Sequence, residues 1–124
     1  MPNTLKNIKR QRQLFAYNKV HGVGNQQKKE YASMVEKIGM MIYTNGLIST
    51  MAHLKAKGGA SGILYKHISD WFKREDSHIP FSMGQNDDLL KKLLELDNSR
   101  TMMLLTKEVI LLSDALKEMT KVMT

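Results

Sequence analysis

The chain contains no cysteine, which excludes a disulfide framework and any thiolate-bound metal. Only two prolines interrupt 124 residues, so long helices are permitted. Aromatic residues are few, and no alternating run of β-branched and aromatic residues reads as a strand. No apolar run approaches the roughly 18 residues of a membrane span. The opening "MPNTLKNIKRQRQ" lacks the apolar core of a signal peptide. These absences predict a soluble, cytoplasmic, all-α protein that makes no membrane contact. The length fits a single domain over residues 1–124.

Acids are scarce in one half. Residues 1–57 hold ten Lys and Arg against Glu30 and Glu36, a balance of +8. Residues 58–124 hold nine bases and ten acids, a balance of −1. A concentrated positive half suits a polyanion partner. It is equally the composition of a basic, solvated surface.

Helical periodicity accounts for nearly all of the rest. Leu5, Ile8, Phe15 and Ala16 share a face over residues 4–20. Tyr31, Met34, Val35 and Ile38 follow the i, i+3, i+4, i+7 rule over 26–38. Asn25 is placed to cap that helix. Residues 61–74 align Ile63, Leu64, His67, Ile68, Trp71 and Phe72, with Trp71 central. The run "NDD" caps a helix carrying Leu89, Leu90, Leu93 and Leu94. A last helix from Asn98 or Ser99 carries a 3,4-spaced seam of Met102, Leu105, Val109, Leu112, Leu116, Met119 and Met123. With four other amphipathic helices present, the seam reads as the centre of a bundle, with a coiled-coil dimer as the alternative. The expected fold is a compact helical bundle of five to six helices.

The stretch "IYTNGLISTMAHLKAKGG" sets a strong turn dipeptide, Asn45-Gly46, inside a helical pattern. At about 100° per residue from Met40, the apolar residues Met41, Leu47, Ile48, Met51, Ala52 and Leu54 stay within an arc of about 160°. The expectation is one helix over 39–57 that passes through the dipeptide and ends at Gly58-Gly59. Gly46 would then share a small, polar face with Ser49, Thr50, His53 and Lys57. Such a face, with Asn45, admits the close approach of another backbone: a neighbouring helix, a second subunit or a sugar-phosphate chain.

No P-loop, dinucleotide fingerprint or His-Glu-x-x-His motif is present. His21, His53, His67 and His78 share no helical face at ligand spacing. His67, one turn before Trp71, reads as a hydrogen-bonded core histidine. Nothing assembles a nucleophile, a base and an orienting group. No catalytic residue, metal or cofactor is predicted. The basic residues carry more information. Arg12 and Lys19 fall within the apolar arc of Ile8 and Phe15, where a charge must snorkel, pair or face a partner. Lys55 and Lys57 end the helix beside the small-residue face. Arg12, Lys19, Lys55 and Lys57 are the candidate contacts to a nucleic-acid backbone, with Lys28, Lys29, Lys66 and Lys73 next. No recognition helix stands out, so sequence-independent contact is the natural mode.

The segments "YTNGLISTMAHLKAKG" and "LYKHISDWFK" resemble the signature of the small subunit of type III-B CRISPR effector complexes, the Cmr complexes. The residues that carry the resemblance are Thr44-Asn45-Gly46-Leu47, Leu54, the Lys-x-Lys-Gly end, Leu64, His67 and Trp71. The basic first helix with Arg12, Ala16 and Tyr17 fits too, as do the two C-terminal helices. The resemblance implies a non-catalytic subunit that stacks in several copies beside the backbone subunits. Its implied partners are other Cmr subunits, further copies of itself, guide RNA and target RNA. A helical nucleic-acid-binding regulator or adaptor is the alternative.

Overall fold

A computed structural model describes residues 5–74 and 79–123, with side chains from residue 7 onward. The expected role of the Leu5 side chain, and that of His78, lie outside the described residues.

Six helices make up the described chain: α1 (Leu5–His21), α2 (Lys28–Asn45), α3 (Leu47–Lys57), α4 (Gly59–Phe72), α5 (Leu89–Glu95) and α6 (Ser99–Met123). The long α6 packs on α1 and α2, α4 packs on α2 and α3, and α5 closes against α3. One apolar cluster joins all six, with Tyr31, Ile38, Met51, Leu54, Leu64, Ile68, Leu89, Leu105, Leu112 and Leu116 fully buried. The α6 seam turns inward: Leu105, Val109, Leu112 and Leu116 are buried, and Met102, Met119 and Met123 are partly buried on the same cluster. It is occupied within the chain, as the bundle reading expects. Among the described residues no helix is long and apolar enough to cross a membrane.

The helix boundaries around Asn45-Gly46 differ from expectation. The chain does not run through as one helix, and no boundary falls at residue 38. Instead α2 continues through Gly39 to Asn45 and stops at Gly46, whose φ of 89° lies in the region that favours glycine. The Gly46 N–H closes α2 on the Ile42 carbonyl at 2.8 Å. The Gly46 carbonyl accepts the first α3 bond from the Thr50 N–H at 3.2 Å and a second from the Thr50 hydroxyl at 2.8 Å. Met40 misleads the phase, because it is 68% exposed while Ile42 is buried. Measured from Tyr31, Val35, Ile38 and Ile42, a continuous helix would carry Leu47, Met51 and Leu54 to roughly the opposite face, about 100° being added per residue. The break at Gly46 turns that stripe back to the core.

Asn25 does not cap α2. The N-cap is Gln27, with no capping bond from its side chain. The helix expected over 61–74 instead runs from Gly59 to Phe72, so Gly59 opens α4 and does not end α3; three other termini follow expectation. Gly58, at φ 69°, ends α3. Asp88 caps α5 by accepting from the Lys91 N–H at 3.2 Å. Asn98 accepts from the Thr101 N–H at 3.1 Å at the start of α6.

Candidate nucleic-acid interface

Of the four candidate RNA contacts, Arg12 has the most definite place. The turn of α1 that buries Ala16 also aims Arg12 at α6. Its Nε donates to Glu108 Oε2 and its Nη2 to Glu108 Oε1, both at 2.8 Å. The side chains are 11% and 3% exposed. Trp71 Nε1, from α4, donates to the same Oε2 at 2.9 Å. Phe15 meets the Trp71 ring edge-on at 5.0 Å, and the Arg74 guanidinium lies 3.9 Å from its centroid. Arg74 in turn donates to Gln11 at 2.8 Å. A planar guanidinium matched to a carboxylate, both desolvated, ties α1 and α4 to α6. Of the alternatives open to a charge on an apolar stripe, Arg12 takes pairing.

Lys19 and Lys55 also meet acids, nearer the surface. Lys19 Nζ lies 2.9 Å from Asp70 and 5.4 Å from the Phe15 ring centroid. Lys55 Nζ lies 3.0 Å from Asp88, with the Tyr65 ring beneath it. The Tyr65 hydroxyl donates to Asp88 Oδ1 and accepts from the Leu90 N–H at 2.9 Å. Burial, then the bond to Asp88, pushes the Tyr65 hydroxyl up to about 12. Burial opposes ionisation of Asp88, but the bonds from Tyr65, Lys55 and the Lys91 N–H prevail and hold its carboxyl below the usual range. Partly exposed pairs of this sort hold a lysine by about 1 kcal/mol or less. Lys57 is exposed and makes no ion pair among the described residues.

Asn45, Gly46 and Ser49 lie together at the α2–α3 joint and all three are exposed. A Cβ built on Gly46 would meet nothing within 4 Å. Among the described residues no helix approaches closely there, and the glycine answers to its backbone angle. The face is open to solvent.

His67 sits in the core as expected, sharing a 2.7 Å hydrogen bond between Nδ1 and the Tyr31 hydroxyl. Burial first, then the charges of Lys19 and Lys66 against the opposing Asp70, lowers it to about 4. Burial likewise raises the Tyr31 hydroxyl. Among the described residues no group of three His, Asp or Glu side chains is placed to hold a metal.

One feature escaped the sequence. Lys37 from α2 and Lys57 from α3 line one hollow, together with Glu30, Ser33 and the first turn of α4. The spacing of Glu30, Ser33 and Lys37 along one face of α2 was the available signal. Its meeting with Lys57 depends on how α2 packs against the α3–α4 joint.

The fold defines the class of small all-α bundles, here with a basic half and lysines exposed on its surface. Within that class the chain belongs to the family of CRISPR-associated proteins described as Cas_Cmr5, whose family model matches residues 8–123. This is the small-subunit family of type III-B systems. A comparison with curated proteins gave no match.

Proposed function

We propose that the chain is a non-catalytic small subunit of a Cmr ribonucleoprotein. In this reading several copies stack beside the backbone subunits and touch the guide or target RNA through its phosphates. The observation that carries the proposal is family membership across residues 8–123. The +8 balance of residues 1–57 supports it independently. Lys57, which makes no ion pair among the described residues, and Lys19 and Lys55, which are weakly held, are the proposed RNA contacts. Arg12 is assigned to the scaffold, because its guanidinium is engaged by Glu108. The open face of Asn45, Gly46 and Ser49 is proposed to meet a protein neighbour. Exposed apolar residues on α6, Met103 and Leu104 among them, add surface for such neighbours.

Few phosphates are engaged by one copy, so the isolated chain should bind RNA weakly, with strong salt dependence and little sequence preference. Stacked copies on one strand would then gain by avidity. The test is recovery of the tagged full chain from its native cells. The expected companions are a guide RNA and several larger Cmr proteins. Recovery without RNA or Cmr proteins, combined with tight, sequence-selective duplex binding by the purified chain, would establish a DNA-binding regulator instead.

A further inference from the structure

Asn45 is the only asparagine of the chain followed by glycine, and it is exposed. At such a pair the backbone nitrogen of the second residue can close on the side-chain amide of the first. A side chain on the second residue hinders that approach. Gly46 has none, and a Cβ built on it would meet nothing within 4 Å, so the space beside the nitrogen is open. One contact restrains the reaction. Asn45 is the last residue of α2, and the Gly46 N–H closes that helix on the Ile42 carbonyl at 2.8 Å. The nitrogen is held in place until this bond opens. The bond is the terminal one of α2, and helix ends open at lower cost than helix centres. The Gly46 carbonyl is held separately, by the N–H and hydroxyl of Thr50 in α3, and neither group engages the nitrogen.

We propose that Asn45-Gly46 is a deamidation site whose rate is set by opening of the last turn of α2. Once that turn opens, the Gly46 nitrogen loses its proton and bonds to Asn45 Cγ. The Cγ–Nδ2 bond breaks, and the amide nitrogen leaves as ammonia, taking up a proton through solvent. The ring so formed is a succinimide, and water opens it at either carbonyl. Opening at Cγ leaves aspartate. Opening at the backbone carbonyl leaves isoaspartate, in which the main chain runs through the side chain. One water is consumed and one ammonia released, with no oxidant or cofactor. Isoaspartate inserts a methylene between Cα of residue 45 and the Gly46 nitrogen. The lengthened backbone does not keep both the Gly46–Ile42 bond and the turn that returns Leu47, Met51 and Leu54 to the core. Either product adds a carboxylate beside the exposed Ser49 and lowers the positive balance of residues 1–57 by one. The proposal is independent of the function proposed above.

The test is incubation of the purified full chain at neutral and at mildly alkaline pH, beside a peptide of residues 42–50. Peptide mapping by mass spectrometry and enzymatic methylation of isoaspartate are the readouts. Hydrogen exchange of the Gly46 amide under the same conditions reports the same opening. Asn45 should convert before every other asparagine, and faster at the higher pH, because the attacking nitrogen must lose its proton. Its rate should fall below the peptide's by the factor that protects the Gly46 amide, roughly tenfold for one terminal hydrogen bond. Asn45→Gln, whose longer side chain would have to close a larger ring, should abolish the isoaspartate signal. The isoaspartate form, isolated by chromatography, should melt below Asn45→Asp, which carries the charge without the extra methylene. No conversion at Asn45 over a time in which the peptide rate, divided by the measured protection, would convert half of the chain overturns the site. Conversion at the peptide rate while the Gly46 amide is protected overturns the gating. Equal melting temperatures for the isoaspartate form and Asn45→Asp overturn the effect on the α2–α3 joint.

Discussion

Arg12→Ala is expected to destabilise the fold by about 3 kcal/mol, at the lower end of the range for breaking a buried pair. The cost comes from Glu108, not from lost attraction. That carboxylate is 3% exposed and would keep the Trp71 N–H while losing both guanidinium donors. Replacing both partners with apolar side chains, as in Arg12→Leu with Glu108→Met, should cost less than Arg12→Ala alone, because no charge is left stranded. Chemical denaturation of Arg12→Leu, Glu108→Met and the double variant measures the coupling, expected to reach about 2 kcal/mol. Additive effects would mean that the pair is solvated and that Arg12 is available to RNA after all.

Trp71→Ala is expected to cost roughly 3–5 kcal/mol. Three losses coincide there. The indole fills the α1–α4–α6 contact, its N–H serves Glu108, and its ring carries Phe15 on one edge and Arg74 at its face. Against a total stability of roughly 5–15 kcal/mol for a domain, such a variant is marginal at best. Trp71→Phe keeps most of the packing and removes the donor, so it should cost about 1–2 kcal/mol. Denaturant midpoints at fixed slope check both values. A cost below about 1 kcal/mol for Trp71→Ala would mean that the indole is not a core residue.

Most helices were legible because their apolar residues keep a 3.6-residue period and their caps are local. Trp71, the α6 seam, the Asp88 cap and the Gly58 stop all follow from neighbours within a turn or two. Asn45-Gly46 was misread because an exposed methionine, Met40, set the phase and Ile42 was left out of it. A stripe referred to Tyr31 and Ile38 would have shown the chain turning where its strongest turn dipeptide stands. Arg12 was legible as an anomaly, a charge on an apolar face. Its partner was not, because Glu108 lies 96 positions away and only the packing of α1 on α6 joins them. Lys19 with Asp70 and Lys55 with Asp88 were hidden in the same way. The hollow of Lys37, Lys57 and Ser61 is also tertiary: three residues from three helices, each unremarkable in its own segment.

The central claim is that this family member touches RNA phosphates through lysines of its basic half, while Arg12 holds the fold. The most direct measurement is target-RNA retention by a reconstituted Cmr complex against salt concentration, with Lys19, Lys55 and Lys57 all changed to Gln and Arg12 left intact. Circular dichroism of the free variant serves as the folding control. The account predicts a folded variant that assembles normally and retains RNA less well, with the salt slope lowered by about one for each lost contact. A folded, assembled variant with unchanged affinity and unchanged slope would contradict it.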